Sequence, residues 1–285
     1  MMIDTHCHIH FKAFEKNRDD VIARSKEKGM ILNLVGTQES TSKKGIEMAE
    51  KYDWMYATIG LHPIHIHEVD VHEETTNFTS RGENFNPEFY RALATNPKVI
   101  GVGETGLDRF HIPKDQVEAD ILAAQKEVFR KHYDVASEFG LPLVMHVRDA
   151  HDEMIELLQQ IKKEKGSLIR GVVHCYTGNW AQAEKYLDLG FNLGFTGVVT
   201  FPAKKTNPEP QLELEKVLEN VPLDRILVET DAPFLAPQAY RGEQSEPWMV
   251  EEVIKKFAMV RKMEVDQMLS QINENTKNLF TRMQL

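Results

Sequence analysis

The stretch MIDTHCH at residues 2–8 is a short apolar segment that ends in two histidines, His6 and His8. Seven further segments rich in Val, Ile and Leu follow it along the chain. The eight predicted strands are MIDTH (2–6), MILNLVG (30–36), MYATIGLH (55–62), KVIGVGE (98–104), LPLVMH (141–146), IRGVVH (169–174), FNLGFTG (191–197) and RILVET (225–230). Because their apolar residues are continuous rather than alternating, these strands are expected to be buried on both faces, as in a parallel sheet.

Amphipathic patterns that are typical of helices separate these strands. Val117, Ile121 and Ala124, for example, recur at three- and four-residue spacing. The predicted helices occupy 16–28, 40–52, 115–139, 149–165, 180–189, 247–261 and 265–280. Eight strands that alternate with helices favour a closed α/β TIM (β/α)8 barrel, formed as a single domain by residues 1–285. A doubly wound open sheet is the competing arrangement.

The polar and acidic stretch HEVDVHEETTNFTSRGENFN (67–86) interrupts this regular alternation after the third predicted strand. A connection of this length is either a mobile lid or poorly ordered surface, and its composition favours poorly ordered surface. Elsewhere the chain shows no low-complexity tract and no short-period repeat.

Composition indicates an ordinary globular protein, since 41% of the residues are hydrophobic and 27% are charged. No apolar run approaches the length of a membrane span, and no signal peptide is recognisable at the start. Cys7 and Cys175 are the only cysteines. We therefore expect two buried free thiols, a cytoplasmic location and no membrane association, with a monomer as the default state. The net charge of −10 disfavours broad electrostatic binding to duplex nucleic acid.

Potential metal ligands stand at the ends of five predicted strands. They are His6, His8, Glu104, His146, His174 and Asp231. In a barrel the active site forms at the carboxyl ends of the strands, so these side chains should converge on one mouth. Alternate residues of a strand share a face, which allows His6 and His8 to bind one ion together. We interpret the set as a metal centre rather than as isolated structural residues.

Several segments that carry these residues resemble the TatD family of metal-dependent hydrolases. They are DTHCH (4–8), GLHP (60–63), GETGLD (103–108), LPLVMHVRDA (141–150), VVHCYTG (172–178), FTGVVTF (195–201) and ETDAPFLAP (229–237). The resemblance covers nearly the whole chain. It implies a TIM barrel of the metallo-dependent hydrolase type and a relationship to magnesium-dependent DNases. By this resemblance, the six residues named above occupy the family's metal-binding positions.

Two divalent ions are expected at this centre, with Glu104 as the bridging ligand. One set of remaining ligands is His6, His8 and Asp231, and the other is His146 and His174. Mixed histidine and carboxylate ligands suit Zn²⁺ or Mn²⁺, whereas the family's nucleases work with Mg²⁺. Glu104 and Asp231 are the predicted catalytic residues, Asp231 as the general base that accepts a proton from a metal-activated water. Its structural alternative is an N-cap.

Substrate binding is assigned to four further residues. His62, Arg148 and Arg241 are candidate donors to phosphate oxygens. Tyr176 is a candidate platform for stacking on a base. Ion pairs at the rim are the alternative role for the two arginines, and core packing is the alternative for Tyr176.

These observations predict a phosphodiester hydrolase, specifically a deoxyribonuclease that acts as a 3′→5′ exonuclease on single-stranded DNA ends. A recessed barrel mouth admits a strand end more easily than a rigid duplex. One alternative is a metal-dependent hydrolase of an amide, a lactone or an aminoacyl-tRNA ester. The other is a non-catalytic protein with a relict metal site.

Overall fold

A computed structural model describes residues 1–73, 76–113 and 116–284, which are built around eight parallel strands. The strands follow one another around the sheet in the order β1 (Met2–Cys7), β2 (Met30–Val35), β3 (Met55–Ile59), β6 (Val99–Asp108), β7 (Leu143–Arg148), β8 (Gly171–Val173), β9 (Asn192–Phe195) and β10 (Ile226–Val228). Two further strands, β4 (Glu68–Glu73) and β5 (Thr76–Arg81), pair only with each other in an antiparallel hairpin.

Helices connect these strands. The α-helices are α1 (Arg18–Glu27), α2 (Glu39–Ala49), α3 (Pro87–Ala94), α4 (Glu118–Phe139), α5 (His151–Lys165), α6 (Trp180–Asp188), α7 (Glu209–Asn220), α8 (Val250–Arg261) and α9 (Val265–Leu279). Short 3₁₀ helices in the described connections span Lys12–Phe14, Pro63–Ile66, Gly197–Thr200, Leu223–Arg225, Gln238–Tyr240 and Pro247–Met249. Among the described helices, none combines the length and the apolar composition that crossing a membrane requires.

The sheet closes between its first and last strands. Cys7 pairs in parallel with Ala232, four residues beyond the end of β10 at Val228. The N–H of His8 donates to the carbonyl oxygen of Ala232 at 2.7 Å, and the N–H of Asp231 donates to that of His6 at 2.9 Å. The predicted TIM barrel is therefore confirmed, and the chain does not form the competing open sheet.

Most predicted elements lie within a few residues of the observed ones. β6 continues to Asp108, four residues beyond its predicted end at Glu104. Helix α3 was not predicted, although the side chain of Asn86 accepts a hydrogen bond from the N–H of Phe89 and Pro87 occupies the first turn. Both are typical signals of a helix start. Residue 115, the predicted start of α4, lies outside the described residues.

The prediction for 67–86 is wrong for most of its length, because β4 and β5 form a regular ladder there. Val69 pairs with Ser80, and Asp70 pairs with Thr79. The Ser80 hydroxyl lies 3.2 Å from Nδ1 of the buried His65, which fixes the hairpin to the connection after β3. Residues 74–75 of the stretch lie outside the described residues.

Both cysteines are free, as predicted. Cys7 is fully buried, and its thiol lies 3.6 Å from the carbonyl oxygen of Asn33. Cys175 is only half-buried, and its sulfur contacts the hydroxyl of Thr196 at 3.3 Å. The two thiols therefore have separate polar partners.

A small hydrophobic cluster forms the floor of the barrel at the amino ends of the strands. Its members are Ile3, Ile31, Tyr56, Ile100, Val144, Val172, Leu227, Leu279, Phe280 and Met283. From this floor, alternate residues of each strand continue toward the mouth: Val144 is followed by His146, and Val172 by His174. The same alternation that buries apolar residues at one end therefore presents imidazoles at the other.

We expect the substitution Phe280→Ala to lower the free energy of unfolding by about 3–5 kcal/mol, because the ring is fully buried in this floor. Denaturation in guanidinium chloride measures the change. Met259→Ala is the control, since that side chain is 66% exposed, and its effect should stay within about 0.5 kcal/mol. A loss below about 1 kcal/mol for Phe280→Ala would show that the floor is loosely packed.

Candidate metal centre

The six predicted ligands come together at the carboxyl ends of the strands. Their potential ligand atoms form overlapping groups in which all atoms lie within 4.8 Å of one another. The groups are His6 with His8 and Asp231, His6 with Glu104 and His174, and His62 with Glu104 and His146. Four of the six predicted residues are buried, and His146 and Asp231 are half-buried. The strand ends thus place imidazoles and carboxylates in one continuous cluster.

His6, His8 and Asp231 form the part of the cluster at the closure of the barrel. The Nε2 atoms of the two histidines lie 3.2 Å apart. Oδ1 of Asp231 lies 3.1 Å from Nε2 of His8 and 3.7 Å from Nε2 of His6. The backbone bonds that close the barrel hold these three residues side by side, so their geometry follows directly from the fold.

The orientation of His8 shows that this group suits a cation. Nδ1 of His8 lies 2.7 Å from the carbonyl oxygen of Val35. Because a carbonyl oxygen only accepts, Nδ1 carries the hydrogen, and the neutral ring directs the lone pair of Nε2 toward His6 and Asp231. Metal-binding histidines in proteins are commonly oriented in this way by a backbone carbonyl. Imidazole nitrogens and a carboxylate oxygen that converge in this way fit a divalent ion.

Glu104 lies at the middle of the cluster, and its two oxygens face different histidines. Oε2 lies 3.4 Å from Nε2 of His6 and 3.9 Å from Nε2 of His8. Oε1 lies 3.1 Å from Nδ1 of His146 and 3.7 Å from Nε2 of His174. The carboxylate thus separates the same two sets of histidines that the sequence assigned to two ions. The groups of potential ligand atoms nevertheless divide these histidines differently. His174 belongs to the group with His6 and Glu104, and His146 belongs to the group with His62 and Glu104.

His62 lies in the cluster, although the sequence assigned it to substrate binding. Its Nε2 lies 3.4 Å from Oε1 of Glu104, while its Nδ1 accepts a hydrogen bond from the N–H of Ile64 at 3.2 Å. Burial, followed by the charge of His146, lowers the pKa of His62 to about 4. In the neutral ring, Nδ1 is an acceptor and Nε2 therefore carries the hydrogen. His62 is oriented as a hydrogen-bond donor rather than as a ligand.

Glu229 was not predicted to belong to the site, yet it orients His174. Its side chain is 1% exposed, and Oε1 lies 2.8 Å from Nδ1 of His174. The same oxygen accepts the N–H of Cys175 at 2.5 Å. A side chain at position 194 would collide with this carboxylate, because a Cβ on Gly194 would lie 2.7 Å from Oε2. A carboxylate that holds one nitrogen of a histidine directs the other nitrogen toward the metal.

Asp108 plays the corresponding part for His146. Oδ2 of this buried carboxylate lies 3.1 Å from Nε2 of His146 and 2.8 Å from Nδ1 of His111. Its Oδ1 accepts the N–H of His111 at 2.8 Å. These contacts hold the pKa of Asp108 well below its usual range, although burial alone would raise it. Asp108 and Glu229 both lie in the motifs quoted above, but their role depends on contacts between strands.

The carboxylates and histidines of the site change one another's pKa values. Burial opposes ionisation of Glu104 and Asp231, but hydrogen bonds and the charges of neighbouring histidines lower the pKa of both carboxyls below their ordinary values. For His174, burial favours the neutral ring, but Glu229 and then Glu104 raise its pKa to about 10. The centre therefore holds excess negative charge that a proton or a cation can balance.

The remaining predicted substrate contacts are Arg148, Arg241 and Tyr176. The structure corrects the role assigned to Tyr176. The guanidinium of Arg148 lies 3.9 Å from the centre of the Phe110 ring, and that of Arg241 lies 4.6 Å from the ring of Phe201. Tyr176 is only 2% exposed, and its hydroxyl donates to the carbonyl oxygen of Asn179 at 2.6 Å. Because neither face of this ring is accessible, the structure does not support base stacking by Tyr176 and agrees with its packing role.

Residues 3–281 of the chain match the family model described as TatD related DNase. The chain is 35% identical over 281 residues to the uncharacterized metal-dependent hydrolase YabD of Bacillus subtilis strain 168, with 98% of this chain and 99% of the relative covered. It is 30% identical over 288 residues to the 3′-5′ ssDNA/RNA exonuclease TatD of Erwinia amylovora, with 98% and 99% covered. The crystal structure of YJJV, a TatD homologue from Escherichia coli K12, matches with a TM-score of 0.79, 26% identity and 98% coverage of both chains.

These similarities extend along almost the full length of both this chain and its relatives, which confirms the resemblance that the strand-end motifs indicated. The chain belongs to the TatD family of metal-dependent hydrolases.

Proposed function

We propose that this protein is a divalent-metal-dependent phosphodiesterase that removes nucleotides from the 3′ ends of single-stranded DNA. The observation that carries the proposal is the position of Glu104, whose two oxygens face two separate sets of histidines. A carboxylate shared between two ions is typical of enzymes that cleave phosphate esters. The exonuclease name of the Erwinia amylovora relative supports the choice of substrate.

In this proposal, Glu104 would contribute to the binding of both ions. His6, His8 and Asp231 would hold one of them, and His146 and His174 would complete the second. When bound, the ions supply Lewis acidity to the phosphate and lower the pKa of water. Mixed nitrogen and oxygen ligands are compatible with Zn²⁺ and Mn²⁺, and carboxylates also suit Mg²⁺.

Asp231 is placed to act as the general base. Its side chain is 16% exposed, so a water molecule at the mouth can reach it. Its lowered pKa keeps it ionised near neutral pH, ready to take a proton. As water attacks phosphorus, Asp231 accepts a proton from it, and the bond from phosphorus to the 3′ oxygen of the neighbouring sugar breaks. That oxygen leaves as a hydroxyl after it gains a proton.

His62 and Arg148 would hold the substrate phosphate. Nε2–H of His62 points toward Glu104, and we infer that it would donate to an oxygen of a phosphate bound beside that carboxylate. Arg148 lies two residues beyond His146 on β7 and so shares its face of the strand. A neutral imidazole and one guanidinium orient a single phosphate without an extended basic surface, in agreement with the net charge of −10.

Reconstitution with Mn²⁺ should give about two ions per chain, because the cluster offers more ligands than one four-coordinate ion requires. Elemental analysis after removal of free metal measures this ratio. Glu104→Gln should lower it to one or none, whereas Glu184→Gln on the exposed side of α6 should leave it unchanged. A wild-type ratio that never exceeds one at saturating metal would eliminate the bridging role of Glu104.

Asp231→Asn should lower kcat by about 10²–10⁴-fold and change KM much less, because the amide keeps the shape but cannot accept the proton. Asp149→Asn is a closely matched control. Asp149 also follows a barrel strand with a left-handed backbone, at φ 56° against 59° for Asp231, but it lies outside the ligand groups. If Asp231→Asn kept nearly full kcat with its metal bound, another group would have to be the base.

The substrate assignment is tested with oligonucleotides labelled at the 5′ end and incubated with Mg²⁺ or Mn²⁺. A descending ladder is expected on single-stranded DNA and little cutting on a blunt duplex, since only a strand end can enter the recessed mouth. A circular single strand should resist cleavage. Internal cutting of the circle would indicate an endonuclease, and preferred cleavage of matched RNA would move the assignment to ribonucleotides. Hydrolysis of an aminoacyl ester without DNA cleavage would contradict the proposal.

A further inference from the structure

We propose that the ring of Phe110 is a platform on which one nucleobase of a single-stranded nucleic acid stacks, beside the phosphate bound by Arg148. This inference rests on the proposed function, because it assigns a base-binding position to the same substrate. It places the contact on the connection after β6, on the side of the mouth next to His146.

The exposure of Phe110 sets it apart. Among the described residues, six large hydrophobic side chains are exposed, namely Met1, Phe110, Val117, Leu212, Met259 and Val265. Phe110 is the only aromatic one in that set, and its side chain is 57% exposed. A single exposed apolar residue is common and needs no explanation by itself. Its surroundings are what give this ring a role.

Arg148 lies against one face of the ring, with its guanidinium carbon 3.9 Å from the ring centre. This cation–π contact covers one face of the ring, and the exposed remainder of the side chain offers a contact for a flat apolar surface. Bases have such a surface, and stacking on aromatic side chains is the usual way in which proteins bind single strands. A nucleotide carries its base and its phosphate on the two sides of one sugar, so an aromatic ring and a guanidinium in contact can bind both.

A short series of contacts connects the ring to the metal centre. The ring of Phe110 packs edge-on against His111, with ring centres 4.9 Å apart. His111 contacts Asp108 at 2.8 Å, and Asp108 contacts His146 at 3.1 Å. The platform therefore has a fixed position relative to a predicted metal ligand. A base stacked on Phe110 would belong to a nucleotide close to the scissile phosphate.

The connection that carries Phe110 is held in place by Arg109. The N–H of Arg109 donates to the carbonyl oxygen of Arg148 at 3.0 Å, and its guanidinium donates to that of Asp149 at 3.0 Å. The same guanidinium forms ion pairs with Glu118, at 3.0 Å, and with Glu153. Fixing the residue that precedes Phe110 lowers the entropy that binding would otherwise cost.

Phe201 offers a comparison within the same mouth. Its ring also lies under a guanidinium, that of Arg241, at 4.6 Å, on the connection after β9. The side chain of Phe201 is half-buried, whereas that of Phe110 is exposed. The two Phe–Arg pairs have similar chemistry, and Phe110 alone combines that chemistry with a largely exposed ring. We therefore assign the base platform to Phe110.

The test measures how tightly single-stranded oligonucleotides bind to the full chain loaded with Mg²⁺. The linkages at their 3′ ends are phosphorothioates, which slow hydrolysis. Phe110→Ala should weaken binding by roughly 5- to 150-fold, the loss typical of one stacked base. Phe110→Trp should restore it, since indole also stacks. Met259→Ala, which changes an exposed residue near the end of α8, should bind like wild type.

A series with an abasic residue at each of the last four positions identifies the stacked base. At one position, removing the base should weaken binding to the wild type as much as Phe110→Ala weakens binding of the intact oligonucleotide. Binding of that abasic oligonucleotide to Phe110→Ala should be no weaker than either change alone makes it. The platform is ruled out if Phe110→Ala binds like Met259→Ala, or if its effect is equal at all four abasic positions. Wild type that binds through Phe110 but never cleaves would contradict the proposed function and leave the platform intact.

Discussion

Two backbone hydrogen bonds that close the barrel determine the geometry of the whole centre. The N–H of Asp231 reaches the carbonyl oxygen of His6, and the N–H of His8 reaches that of Ala232. Beneath them the buried carboxyl of Asp4 accepts the hydroxyl of Thr230 at 2.5 Å, and burial raises the pKa of Asp4 to about 8. Three ligand residues are thereby fixed by main-chain bonds rather than by flexible side-chain contacts. An open sheet of the same strands would place His6 and Asp231 at opposite edges.

The electrostatic consequence is a cluster of acceptors whose directions are already set. The carbonyl oxygen of Val35 orients His8, Glu229 orients His174, and Asp108 orients His146. Unpaired negative charge in a buried site is costly unless a positive charge balances it. The carboxylates that raise the pKa of His174 to about 10 would also attract a divalent cation. A proton and a cation therefore compete for the His174 ring. Stability and metal binding depend on the same charges.

The sequence predicted the barrel and the six converging ligands because both follow from local patterns: apolar runs of strand length and polar residues where those runs end. It did not predict Asp108 or Glu229 as orienting groups, since the histidines that they orient follow other strands. Register between strands decided those contacts. Base stacking by Tyr176 was inferred from its place after a ligand, but the direction of its side chain depends on packing against α6. The hairpin within 67–86 was missed because acidic and other polar residues predominate in that stretch.

The proposed function requires an acidic protein to bind a polyanion, and the fold bears on how it would do so. Alternate residues of the strands are apolar at the floor and polar at the mouth, so the surface at the mouth consists mostly of candidate metal ligands and the groups that orient them. Little room remains there for a row of lysines and arginines, and the net charge of −10 gives no long-range attraction to DNA. Affinity must come from ions that neutralise a phosphate and from uncharged contacts to the bases. Such contacts require unpaired, flexible bases, which an intact duplex does not offer. The preference for single-stranded ends would then follow from the charge and shape of the barrel rather than from recognition of any sequence.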